Sequence, residues 1–428
     1  MSYFRSHKMD AYRLYLLISA GTSFFFTLVF SVNMVYQVQT IGLSPLELVL
    51  VGTTLELSVL LFEIPTGVVS DVYSRRLSII IGFVLIGLGF MVEGTIASFG
   101  GMLIAQVLWG IGYTFTSGAQ EAWITDEIGE EQVGRAFMRA SQVGNLISIL
   151  ATLIAVALGS LLINLPIVLG GTLFVALAVW LALYMPETGF KPTPREERNT
   201  WGQMTDTLRA GTKLVRRSST LMAIMGIGLF LGLSSEGVDR LSTAHLLESF
   251  TLPDFGGLQP VVWLGILGMI GSLLSAGATQ LVMKRLDTAS NRALGRASFL
   301  IVGLSVGAVI AFALAGNFWL AVVFSMLTGV FRSLFGPIES TWINQNLDSN
   351  VRATVISMRG QVDAFGQTFG GPPVGWVGNT FGIRAALVSS ALILSPALVL
   401  YTRLLRRPDA AIALPDEAAV VSEEGALA

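Results

Sequence analysis

The 428-residue chain has no cysteine and only two histidines, His7 and His245. No disulfide, thiol nucleophile, thiolate metal site or histidine-rich metal centre can therefore be built from it. Charge is scarce as well: 13% of the residues are Asp, Glu, Lys or Arg, against roughly 25% in a soluble domain. Apolar residues make up 53% of the chain, and the mean hydropathy is +0.70. So much apolar surface with so little charge has to face lipid. The 46 glycines fit the same solvent, because small residues let membrane helices approach closely. A net charge of −2 says little, since the distribution of charge matters more than its sum.

Twelve apolar runs follow one another, at roughly 12–38, 44–70, 77–97, 100–127, 136–163, 165–186, 219–247, 257–283, 293–315, 317–346, 352–380 and 383–405. A helix needs about 20 apolar residues to cross a bilayer core. The first run is too long for the apolar region of a cleavable signal and lacks a small-residue cleavage site, so it reads as the first span. With both termini in the cytoplasm, all but three of the 26 lysines and arginines fall on the cytoplasmic side. Arg384 is outside, and Arg240 and Arg332 lie within spans. The positive-inside rule thus fixes orientation.

The expected organisation is an N-terminal six-helix bundle (1–186), a cytoplasmic linker with an amphipathic helix (187–218), a C-terminal six-helix bundle (219–405) and a disordered cytoplasmic tail (406–428). The halves resemble each other. Glu121-Ala122-Trp123-Ile124-Thr125 corresponds to Ser340-Thr341-Trp342-Ile343-Asn344, and Gln142-Val143 corresponds to Gln361-Val362 at the same offset of 219 residues. Arg135-Ala136 and Arg352-Ala353 follow at an offset of 217. Duplicated helical bundles suit a transporter, since one can rock against the other about a site between them.

The loop after span 2 reads Gly67-Val68-Val69-Ser70-Asp71-Val72-Tyr73-Ser74-Arg75-Arg76. It resembles the loop 2–3 signature of the major facilitator superfamily: a Gly, an Asp four residues on, and a basic pair after three more. The resemblance implies an all-α membrane protein of 12 transmembrane helices in two pseudo-symmetric six-helix bundles. It also implies that Asp71 docks at the start of span 11, that Asp126 pairs with an Arg of the loop, and that Gly67, Asp71, Arg75, Arg76 and Asp126 form a gate. Val72 stands where a basic residue is usual and Ser74 where Gly is. Gln106 holds the position of a span 4 Arg, before Gly110-Ile111-Gly112, and the antiporter motif of span 5 is missing. Gly370-Gly371-Pro372-Pro373-Val374-Gly375 in span 11 either supplies a bend by a swapped route or merely kinks the helix.

A charge at the bilayer centre costs about 2.5–3.5 kcal/mol on insertion scales. Span 7 holds Glu236, Asp239 and Arg240, with Glu236 and Arg240 four apart on one helix face. Two acids around one base can exchange a proton, which suits proton coupling; a static ion-pair network is the other reading. Asp363, with no basic neighbour seen on its own helix, ranks second for protonation. Glu56, Glu63, Glu93, Glu121 and Glu339 are further acids within spans. Because spans 1, 4, 7 and 10 line the cavity in the superfamily, the resemblance nominates Asn33, Gln37, Tyr113 and Arg332 as lining. The leading expectation is proton-coupled export of small amphipathic or hydrophobic compounds, as in the drug-efflux branch. Metabolite uptake by symport or facilitated diffusion, or a receptor or scaffold without transport, are the alternatives. The expected partners are a small-molecule substrate, protons and the lipid bilayer, with no nucleic acid and no cofactor. A monomer in the cell inner membrane is expected, without enzymatic activity.

Overall fold

The computed structural model describes residues 9–192, 215–216, 218–254, 257–346 and 349–406. Most of the linker, its amphipathic helix and the tail lie outside the described residues. Among those described there is no strand. The reason is the solvent. Hydrocarbon cannot hydrogen-bond an exposed amide, so each segment must satisfy its own backbone, and a helix does so.

Each apolar run of the sequence is helical. The helices are α1 (Ala11–Ile41), α2 (Pro45–Val72), α3 (Arg75–Thr95), α4 (Phe99–Thr116), α5 (Glu130–Leu161) and α6 (Leu165–Tyr184). Then come α7 (Ser219–Glu248), α8 (Pro260–Arg285), α9 (Asn291–Ala313), α10 (Phe318–Asn346), α11 (Ser349–Phe381) and α12 (Ile383–Leu405). Ten of the twelve are long and apolar enough to cross a membrane, α4 and α11 being the two that are not. On α5, Leu146, Ile149, Leu150 and Leu153 are exposed at helical spacing, an apolar stripe that fits lipid.

Caps set the boundaries. Ser44 and Glu47 form a capping box before α2, with Pro45 in its first turn. Ser74, Ser98 and Ser290 accept a backbone N–H at the starts of α3, α4 and α9. The fourth apolar run is broken. At Gly118 the chain takes a φ of 71°, which L side chains rarely adopt, and a short helix, Ala119–Ile128, follows. Near its end α1 widens into a π-helical turn, Tyr36–Ile41, and Gly42 closes it at a φ of 72°.

The chain divides into two compact units. The first comprises Met1–Trp201 with Asp239–Met269 and Gly371–Ile383. Glycine contacts hold α3 at its centre. A Cβ on Gly82 would lie 2.6 Å from the Gly112 carbonyl oxygen of α4, and one on Gly87 2.6 Å from that of Gly171 on α6. Phe26, Phe30, Phe90, Phe174 and Trp109 pack edge-on and stacked beside these contacts. Asn379 accepts from the Leu46 N–H at 2.9 Å, satisfying a donor that the first turn of α2 leaves without a helical partner.

The second unit comprises Gly202–Val238, Ile270–Gly370 and Arg384–Ala428. Here too α7 meets α11 through glycine. A Cβ on Gly232 would lie 2.1 Å from the Asp363 carbonyl oxygen, and one on Gly370 2.2 Å from that of Leu233. The tryptophans of the repeat have similar settings in their own units. Trp123 is buried and donates from Nε1 to the Pro186 carbonyl beyond α6 at 2.8 Å. Trp342 is buried with its ring 6.1 Å from that of Tyr401 on α12.

Gly82→Ala is expected to lower stability by about 1–3 kcal/mol through overpacking, seen as an earlier thermal unfolding transition in detergent. Gly134→Ala, where a Cβ meets nothing within 4 Å, should leave that transition in place or raise it slightly.

Candidate functional site

Three clusters of polar side chains stand out in this apolar frame. The first surrounds the loop between α2 and α3. Arg75 Nη1 lies 2.5 Å from Asp126 Oδ2, so the structure brings these two residues together, both about a fifth to a quarter exposed. The Arg75 guanidinium also lies 5.9 Å from the centre of the Phe190 ring. Arg76 donates from Nη2 to the Ala182 carbonyl of α6.

The residue that organises this corner is Glu187, the first residue of the expected linker. Its carboxylate accepts from Ser74 Oγ at 2.7 Å and from the Arg76 N–H at 2.9 Å. An acid at the first turn of a helix meets the positive end of the helix dipole, so Glu187 caps α3 from 111 residues away. Ser74, a departure from the family pattern, takes the N-cap position here. Glu127 adds a second tie, accepting from the Thr188 and Gly189 N–H groups at 2.5 and 2.8 Å. Gly189 admits no side chain: a Cβ would lie 2.1 Å from the Asp126 carbonyl oxygen. Asp71 is half-buried near the end of α2. A Cβ at Gly67 would meet nothing within 4 Å, so no close helix approach occurs there among the described residues.

The second cluster is in the second unit. Glu339 of α10 is buried, 4% exposed, and forms a bidentate pair with Arg359 of α11, whose Nε donates at 3.1 Å while Nη2 meets the other oxygen. Asp363 accepts from Gln367 at 2.8 Å and is near enough to act on Glu339 electrostatically. This corrects one sequence expectation: Asp363 has a basic residue, Arg359, one turn earlier on its own helix. Arg359 itself is half-buried in the pair with Glu339.

The third cluster is in the first unit. Gln37, in the π-helical turn of α1, donates from Nε2 to Glu93 Oε1 of α3 at 3.1 Å, and both residues are fully buried. Arg240 of α7 acts electrostatically on Glu93, and Glu93 in turn on Tyr36. Of the nominated lining residues, Asn33 is buried beside this turn, while Tyr113 and Arg332 are exposed on α4 and α10. Within α7, Glu236 is buried, Arg240 half-buried and Asp239 exposed. The three span 7 charges therefore occupy different environments.

A family model described as Major Facilitator Superfamily matches residues 16–288 and 264–423. The chain belongs to the major facilitator superfamily. It is 24% identical over 360 residues to the uncharacterized MFS-type transporter YxaM of Bacillus subtilis (strain 168), covering 83% of this chain and 87% of that one. A crystal structure of the nucleoside transporter NupG superposes with a TM-score of 0.72 at 15% identity, over 94% of this chain and 100% of that one. An inward-facing, unoccupied bacterial homolog of the human lysosomal transporter Spinster gives 0.68 at 15%, over 95% and 98%. A POT family transporter in complex with a thioalcohol-conjugated peptide gives 0.68 at 12%, over 92% and 95%. These likenesses establish the fold. The protein is a multi-pass membrane transporter of the superfamily, and its loop 2–3 signature is the corner anchored by Glu187.

Glu187→Ala should expose the first turn of α3. Losing a charge-assisted hydrogen bond of about 1.5–3 kcal/mol is expected to speed amide exchange at Arg76 about tenfold or more, read by hydrogen–deuterium exchange. An unchanged rate there would remove Glu187 from its capping role.

Proposed function

We propose that this superfamily member is a proton-coupled secondary transporter that exports small amphipathic or hydrophobic compounds by alternating access. The observation that carries proton coupling is the burial of carboxyl groups inside apolar helices: Glu93, Glu236 and Glu339 are 1%, 3% and 4% exposed. Such groups are expensive in a bilayer and are kept where they handle ions, protons or substrate. In this reading Glu236, Asp239, Arg240 and Asp363 form the proton-coupling set, and Asn33, Gln37, Tyr113 and Arg332 line the substrate path. Gly67, Asp71, Arg75, Arg76 and Asp126 close the cytoplasmic side, with Asp71 docking at the start of α11. The protein works as a monomer in the inner membrane with both termini in the cytoplasm.

Uptake of a metabolite by symport or facilitated diffusion is the second reading. It draws support from the names of the solved neighbours, which include a nucleoside transporter and a peptide transporter. An exposed Arg332 on a lining helix would then hold an anionic group.

Dye accumulation in cells with and without the protein separates the two readings. Export predicts lower accumulation with the protein and loss of the difference on adding a protonophore; a higher accumulation with the protein supports uptake instead. For the coupling set, Asp239→Asn or Glu236→Gln should abolish uphill transport and leave counterflow exchange. Full uphill transport in both variants would remove span 7 from coupling. Asp71→Asn should slow turnover several-fold, and an unchanged rate would count against its gating role.

A further inference from the structure

Glu93, one of several acids within the apolar runs, lies in the last turn of α3. Two influences oppose its charge: full burial, and the negative end of the helix it ends. One supports it, the guanidinium of Arg240, brought from α7. From α1 come Gln37, the hydrogen-bond donor, and the Tyr36 phenol. Helices α4 and α6, packed on the other faces of α3, carry no Asp, Glu, Lys, Arg or His. Their titratable side chains, Tyr113 and Tyr184, lie toward the start of α3, where Gly82 meets Gly112 and Arg76 meets Ala182. Glu93 is thus held between opposed influences, with a single cation on one side.

The carboxamide of Gln37 supplies the second observation. Its Nε2 donates to Glu93, but its Oε1 is buried with no hydrogen-bond partner. An ionised carboxylate only accepts, so it can never satisfy that oxygen. A neutral carboxyl carries one O–H and can donate it to Oε1 while still accepting from Nε2, which closes a two-bond ring between the side chains. Turning the amide over would present Oε1 to the carboxyl, an arrangement that again suits only the protonated acid. Leaving a buried acceptor unmade is costly, so the pair favours a state in which a proton is present.

We propose that Glu93 is a proton-binding site of this chain, with Gln37 as the carboxamide that fits both of its protonation states and Arg240 as the counter-charge released when the proton arrives. The step is a proton transfer alone: H⁺ adds to the Glu93 carboxylate, the O–H is directed to Gln37 Oε1, and the attraction to Arg240 is lost. Because Arg240 belongs to α7, proton arrival loosens the hold of α1 and α3 on that helix, and proton departure restores it. Only the place of this step in a transport cycle rests on the proton-coupled reading; proton binding itself does not.

The test is an infrared titration of the full chain reconstituted in lipid, with pH changed by buffer exchange and no solute added. Protonated carboxyl groups give a C=O stretch separate from the amide bands. Wild type should gain this band as pH falls, and Glu93→Gln should lose one component of it. Gln37→Leu keeps the acid but removes its partner, so the same component should move to the frequency of a carboxyl without hydrogen bonds. Arg240→Gln should shift its titration to higher pH, because the ionised form loses its support. A band identical in wild type and Glu93→Gln would overturn the proposal. Should Glu93→Gln fail to fold, an unmoved band in Gln37→Leu would overturn it equally. The coupling reading fails separately, if transport ignores a protonophore while the Glu93 band titrates as described.

Discussion

Everything in this protein follows from placing a polar backbone in a solvent that offers no hydrogen bonds. Helices answer that constraint along the chain, and they leave a second problem at every helix end and every polar side chain. The ends are met by serines, by the Ser44–Glu47 box, and by groups from far along the chain, among them Glu187 at α3 and Asn379 at α2. Side-chain charges are met by pairing. Glu339 has Arg359, Asp126 has Arg75, and Glu93 has the hydrogen bond from Gln37. Lipid gives no driving force between helices, so cohesion comes from packing, which is why glycines mark the closest crossings at Gly82, Gly87, Gly232 and Gly370.

The same economy links structure to function. A carboxyl whose charge is opposed by burial and supported by one cation adds little net stability, because the cost of desolvating the charges offsets their attraction. In the proposed reading its role is to take up and release a proton. Buried acids with a hydrogen-bonded partner on another helix occur in both units, and each unit also has helices that meet through glycine. Small residues at a crossing allow backbones to slide or rotate without unpacking a core, and a transporter needs such movement.

How far the sequence spoke depended on distance along the chain. The twelve helices were readable because apolarity and length are local; the break at Gly118, which ends α4 at Thr116 instead of 127, was not. Asp126 was identifiable as a partner for the loop because the family resemblance carries that pairing. Glu187 was not, since nothing near it signals that it caps a helix 111 residues earlier. Glu93 appeared as one acid among several; its significance lies in Gln37, 56 residues away, and in the π-helical turn that positions it. No hydropathy pattern announces a π-turn.

The central claim is that the buried acids make transport proton-driven. Its most direct measurement is electrical: proteoliposomes on a solid-supported membrane, challenged with a panel of compounds at several imposed pH gradients. The account predicts that transported compounds evoke currents whose size and sign follow the proton gradient. Compounds that shift the protein's thermal stability yet give currents indifferent to that gradient would contradict it.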